Sequence, residues 1–308
     1  MSFPSLSKIV AAMLLWAACF PFITIGITLA PHLSFATLRA VIAGVVLVGL
    51  AYALRRPFPR GVRVWAILGV MGVGATSLGF LGMFHAAEFV SPGIATVIAN
   101  TQPLLAAGLG GIVLGERLQA VGKVGLFLGF LGILVIAAPQ LFSGGQDNYL
   151  LGIAYIVLAA LGITVSNVMI KKIAGQVDPL MTMGIQFLIG SVPLAIVAGL
   201  TEDPGAIQWT YTFVTVLVAL SVFGSALVYV IWMSALTEVP LNKANAFSFL
   251  VPIFGLAMGV AFYGETLGVS TIIGILLAIV GVVLVTRRGS VREAAPRLPA
   301  GSVRNGSL

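Results

Sequence analysis

Acidic side chains are scarce in this chain: nine Asp and Glu stand against sixteen Lys and Arg in 308 residues, with two histidines and one cysteine. A lone Cys19 allows no internal disulfide. Two histidines without clustered carboxylates supply neither a metal-ligand set nor an acid–base pair. No metal, cofactor or catalytic group is therefore expected, and an intramembrane enzyme acting on lipid precursors is a remote reading. No Asp or Glu falls near the middle of an apolar run, which argues against a carboxylate proton relay and against a permanently cationic substrate. Charged residues make up 8% of the chain and hydrophobic ones 59%, with a mean hydropathy of +1.13. A soluble domain of that composition would expose large apolar surface to water.

The chain therefore reads as a polytopic membrane protein whose partners are a lipid bilayer and a small-molecule substrate. The net charge of +7 forms no patch, so nucleic acid is not an expected partner. Monomer and dimer are equally compatible. Cys19 ends Leu15-Trp16-Ala17-Ala18-Cys19, a run similar to a lipoprotein cleavage site, but Trp16 suits such a site poorly and the apolar run continues to Ala30. Cys19 is read as a small packed residue of the first span.

With ~20 apolar residues per spanning helix, ten spans emerge, at roughly 7 to 29, 33 to 54, 64 to 86, 92 to 114, 120 to 139, 149 to 171, 179 to 200, 210 to 235, 240 to 263 and 268 to 287. Fifteen of the sixteen basic residues then fall on one side, which places both termini in the cytoplasm. The exception is Arg39, inside the second span. It either reaches the outer headgroups or faces an aqueous cavity and attracts an anionic group, a possible charge role.

The chain also repeats itself. Pro103, Gly110, Gly115, Glu116, Leu118, Gly125 and Gly132 recur 149 residues later as Pro252, Gly259, Gly264, Glu265, Leu267, Gly274 and Gly281. Residues 1–145 form a first five-helix unit, 146–288 a second, and 289–308 a basic tail expected to be disordered. Five is odd, so the second unit enters the membrane from the opposite side. Such inverted repeats belong to carriers that alternate access around a central cavity. Aligning Phe35–Arg39 with Thr182–Gln186 pairs Arg39 with Gln186.

The runs Gly82-Met83-Phe84-His85-Ala86-Ala87 and Pro92-Gly93-Ile94-Ala95, then Pro103 with Gly115-Glu116-Arg117-Leu118, resemble the EamA-type branch of the drug/metabolite transporter superfamily. So do Ala235-Leu236, Pro252 and Gly264-Glu265-Thr266-Leu267. The resemblance implies an exporter of amino acids and related metabolites in the bacterial inner membrane. It also implies that the first four helices of each half surround the cavity while the fifth and tenth pack behind it. Trp16-Ala17-Ala18 stands where the family more often has Trp-Gly-Ser.

Candidate cavity residues are Trp16, Ser77, Phe80, Asn100, Gln102, Asn167, Gln186, Tyr229, Trp232, Asn245 and Ser248. Pro103 and Pro252 are candidate kinks, since a proline frees a carbonyl one turn earlier. His85 is the one titratable side chain that could switch a proton near neutral pH. Glu116 and Glu265 read as helix-start residues. The expected function is export of small neutral or zwitterionic metabolites, amino acids with apolar or aromatic side chains preferred; drugs, nucleosides and sugars are the alternatives.

Overall fold

A computed structural model describes residues 3–102, 104–105, 117–142, 148–173, 175–238, 247, 250–286 and 291–292. Pro103, Glu116, Asn245 and Ser248 lie outside the described residues, as does most of the tail. The described chain is helical: α1 is Phe3–Gly26, α2 His32–Ala53, α3 Val62–Phe89, α4 Pro92–Ala99 and α5 Ala120–Phe142. Then come α6 Tyr149–Ile173 and α7 Pro179–Thr201; α8 runs through Tyr211–Val218, Ala219–Leu227 and Val228–Glu238; α9 is Leu250–Tyr263 and α10 Val269–Thr286. Six of these helices are long and apolar enough to cross a membrane, and Ala120–Ile136, Leu250–Tyr263 and Val269–Gly281 are shorter apolar helices. The extended pairing among the described residues is two residues long, Arg117–Leu118 against Val291–Arg292.

Local chemistry explains the starts. Pro92 and Pro179 stand in the first turn of α4 and α7, where a missing N–H costs nothing. The Asp178 carboxylate accepts from the Met181 N–H at 3.0 Å and the Thr210 hydroxyl from the Phe213 N–H at 3.2 Å, capping α7 and α8. Two helices widen in mid-course into π turns, α3 over Gly72–Leu78 and α8 over Ala219–Leu227. The fourth expected span is interrupted: α4 ends at Ala99, Asn100 and Thr101 make a turn, and helical backbone resumes at Gln102.

α2 packs along α7, α5 along α10, α4 on α9, α3 on α6 and α1 on α8. The α5–α10 seam is drawn tight by the repeated glycines. A Cβ on Gly132 would lie 2.6 Å from the Gly274 carbonyl, and one on Gly281 would lie 2.6 Å from that of Gly125, so only glycine lets the two backbones approach. Outward, Val45, Phe127, Leu134, Val192, Ile196 and Leu276 are exposed, a surface that suits hydrocarbon and not water. Trp65 and Trp209 are exposed near helix ends, as interfacial anchors are.

The two ends of the bundle are held differently. At one, Lys8 pairs with Glu238 at 2.6 Å and Arg56 lies 3.8 Å from Asp178. At the other, Glu202 accepts 2.8 Å bonds from the Leu33 and Ser34 N–H groups and the Ser34 hydroxyl, capping α2 from the end of α7. At that same end the Gly93 N–H donates to Glu265 at 2.8 Å. Glu265 does serve a helix start, but that of α4; α10 begins four residues later, at Val269.

Candidate substrate site

Arg39 lies two turns into α2 and is 3% exposed. Its side chain turns into the bundle, so the alternative in which it reaches outer headgroups does not hold. The guanidinium sits over the Phe80 ring, 4.6 Å from its centre, and 5.9 Å from that of Phe84, within cation–π range. Nε and Nη2 lie 3.4 and 3.3 Å from the Ser225 hydroxyl, and Nη2 lies 3.5 Å from the Cys19 sulfur. These are long contacts to neutral groups. Nη1 has no hydrogen-bond partner, and neither ion pair among the described residues involves Arg39.

The π turn of α8 makes this arrangement possible. It presents Gly224 and Ser225 to α1 and α2, and a Cβ on Gly224 would lie 2.7 Å from the Cys19 sulfur. Glycine there lets the three helices converge on the guanidinium.

An unbroken series of ring contacts passes the same point. Trp232 meets Trp16 at 5.4 Å, Trp16 meets Tyr229 at 6.2 Å, Tyr229 meets Phe187 at 5.9 Å and Phe187 meets Phe80 at 5.8 Å. From Phe80 the series continues through Phe84, Phe35 and Phe213 to Trp209. The four aromatic residues singled out in the sequence, Trp16, Phe80, Tyr229 and Trp232, are thus gathered, and Arg39 is stacked at the middle of the series. Phe35, Phe84 and Phe213 are fully buried, whereas Trp16, Tyr229 and Trp232 are half-buried.

The other polar candidates scatter. The Ser77 hydroxyl donates to the Gly190 carbonyl at 2.7 Å and so ties α3 to α7. Gln186, 2% exposed, accepts from the Ser166 hydroxyl at 3.3 Å. Asn167, one residue on from Ser166, is exposed. Asn100 donates to the Thr96 carbonyl at 3.2 Å at the end of α4, and Gln102 is half-buried beyond it. No hydrogen bond or ring contact among the described residues joins either to Arg39. Pro252 is buried in the first described turn of α9. His85 hydrogen-bonds the Leu81 carbonyl through Nδ1 at 3.0 Å, and its ring lies 5.2 Å from those of His32 and Tyr155, at the Glu202 end of the bundle.

Sequence reasoning missed Cys19, Ser225 and Phe187 as parts of this site. A signal for Cys19 existed: the spacing that pairs Arg39 with Gln186 also pairs Cys19 with Ser166. The Arg39–Cys19 contact in one half corresponds to the Gln186–Ser166 contact in the other.

Known proteins bear on the chain at this point. The model of the EamA-like transporter family matches residues 4–138 and again 150–287. A WAT1-related chloroplastic protein of Arabidopsis thaliana is 31% identical over 81% of this chain, which spans 61% of that relative's length. A probable terminal-alkyne amino-acid exporter of Streptantibioticus cattleyicolor is 29% identical over 94% of this chain and 98% of its own. A crystal structure superposes with a TM-score of 0.63 at 20% identity, over 92% of this chain and 96% of that one, a likeness of fold. With both halves matched, the chain is a membrane protein of the EamA-like transporter family.

Proposed function

We propose that the protein is a secondary transporter of ten spans in two inverted five-helix repeats, exporting small neutral or zwitterionic metabolites across the bacterial inner membrane. Amino acids with apolar or aromatic side chains are the preferred substrates. The observation that carries this reading is the buried Arg39 guanidinium, unpaired by any carboxylate among the described residues and set within a series of aromatic rings. It offers a charged group for the polar end of a small molecule and flat apolar faces for the rest.

The repeat reading is supported by the packing. α2–α7, α4–α9 and α5–α10 each join helices of the same rank in the two halves, and α1–α8 exchanges into α3–α6 when the halves are swapped. Both third-rank helices carry a π turn, the kind of local irregularity that recurs at functional sites. Orientation follows the basic residues, with Lys8 and Arg56 inside and His32 and Glu202 outside. Alternating access then requires the series from Phe80 to Trp209 to separate on one side and the series from Phe187 to Trp232 on the other.

The test is transport by purified protein in proteoliposomes loaded with radiolabelled amino acids. Efflux of phenylalanine, leucine or methionine above that from empty vesicles is the expected result. Equal rates for every amino acid tried would remove the substrate assignment.

A further inference from the structure

We propose that the site recognises the carboxylate of its substrate and makes little use of an amino group, so that its ligands are monocarboxylates with an apolar or aromatic body, amino acids being one subset. The inference rests on the transport reading above and redraws its substrate class around the carboxylate, so that monocarboxylate anions join the amino acids.

A guanidinium held out of water without a counter-charge is costly, and here Nη1 has no partner at all while Nε and Nη2 reach only a hydroxyl and a thiol at 3.3 Å or more. The group that best completes it is a planar carboxylate, which an arginine fork binds through two parallel charge-assisted hydrogen bonds. One negative charge suffices: neither Lys nor a second Arg among the described residues shares the contacts made by Arg39, so a phosphate dianion would arrive over-charged.

An ammonium finds no such reception. Among the described residues no hydrogen bond or ion pair joins a carboxylate to Arg39, Cys19, Ser225 or Tyr229. Gln186, the amide at the position equivalent to Arg39, is held in the second half by the Ser166 hydroxyl. The guanidinium itself repels a second cation. Phe80, which stacks on Arg39, leads through Phe187 to Tyr229 and Trp16, and this is where an apolar body follows once the carboxylate is anchored. The second half carries Gln186 and Ser166 where the first carries Arg39 and Cys19, so the anchor belongs to one half only and fixes which way round the substrate lies.

The experiment compares three probes of nearly equal shape on the purified full-length protein at neutral pH: L-phenylalanine, 3-phenylpropanoate, which lacks the amino group, and L-phenylalaninamide, which lacks the carboxylate. Binding is read as a ligand-induced rise in unfolding temperature and as heat released in a calorimetric titration. Both carboxylates are expected to stabilise the protein and to release heat on titration, and the amide to do neither at the same concentration. Arg39→Gln is expected to weaken both carboxylates on the order of ten- to a hundredfold, the loss of a charge-assisted pair. If that variant does not fold, the calorimetric comparison of the three probes on the unaltered protein decides alone.

Amide binding equal to that of the carboxylates, binding of L-phenylalanine without 3-phenylpropanoate, no binding of either carboxylate, or an Arg39→Gln protein that responds like the original would each overturn the proposal. The two readings separate cleanly. Arg39-dependent binding of 3-phenylpropanoate with no amino-acid efflux from proteoliposomes leaves this inference standing and removes amino acids as cargo. Amino-acid efflux with equal binding of the amide does the reverse.

Discussion

Replacing Glu202 by alanine removes a cap that α2 cannot supply for itself. Pro31 precedes the helix and makes no side-chain capping bond, so two of the three N–H groups of the first turn that lack a backbone partner, those of Leu33 and Ser34, depend on a carboxylate 169 and 168 residues away. Loss of a helix cap costs about 1 kcal/mol, rising to about 2. The carboxylate also faces the positive end of the helix dipole in a partly buried setting, worth up to about 1–2 kcal/mol more. Together the change amounts to roughly 2–3 kcal/mol. At about 2 °C per kcal/mol for a chain of this length, Glu202→Ala lowers the unfolding temperature in detergent by roughly 4–6 °C. Glu202→Gln keeps one acceptor oxygen and loses the charge, so it falls about half as far. Ser34→Ala removes one of three bonds and falls least. An unfolding temperature for Glu202→Ala equal to that of the unaltered protein, or a larger loss in Ser34→Ala, would refute the capping argument.

Other expectations follow from the same packing. Gly274→Ala puts a Cβ 2.7 Å from the Gly132 carbonyl and 2.6 Å from Ile136, a clash worth about 1–3 kcal/mol in thermal unfolding. Gly49→Ala meets nothing within 4 Å and is neutral or stabilising by about 0.4–1 kcal/mol. Hydrogen bonds from Lys8 and Ser5 hold the Glu238 carboxyl below the usual carboxylate range. Its contribution to stability is therefore complete above the ordinary carboxylate pKa and lost as pH falls through the depressed value. Because the pair is exposed, both Glu238→Gln and high salt flatten that acid-side step in a pH–stability profile. With Cys19 replaced by alanine, a membrane-impermeant maleimide applied to intact cells labels Asp203→Cys and leaves Arg60→Cys unlabelled; the opposite pattern would invert the proposed orientation.

The helices were legible in the sequence because hydropathy and segment length are local properties. The expected spans from 33 to 54 and from 179 to 200 agree with His32–Ala53 and Pro179–Thr201 to within a residue or so. Pro103, the expected kink of the fourth span, lies outside the described residues, and the turn at Asn100 and Thr101 lies just before it. Arg39 announced itself as the one basic residue out of place. What hydropathy cannot carry is direction. Nothing in the second span says whether a lone arginine turns outward or inward, because the answer lies in α8, where a π turn with no sequence period presents Ser225. The trans caps were equally invisible: Glu265 stands in the right sequence position to start α10, and only the tertiary structure sends it to Gly93.

The repeated residues and the proposed site divide the labour between them. Gly125, Gly132, Gly274 and Gly281 are repeated, and they meet each other along the α5–α10 seam, away from Arg39. A carrier whose halves exchange conformations needs a support that looks the same from either half, so the repeated residues belong in that support. Selectivity has no such requirement. A substrate with one carboxylate is itself asymmetric, and a binding site that was identical in both halves would hold it in two orientations. In the proposed site, Arg39 with Cys19 against Gln186 with Ser166 breaks that equivalence where recognition of a carboxylate requires it. Positions where the halves agree therefore mark how the protein moves, and positions where they differ while still touching equivalent neighbours mark what it carries.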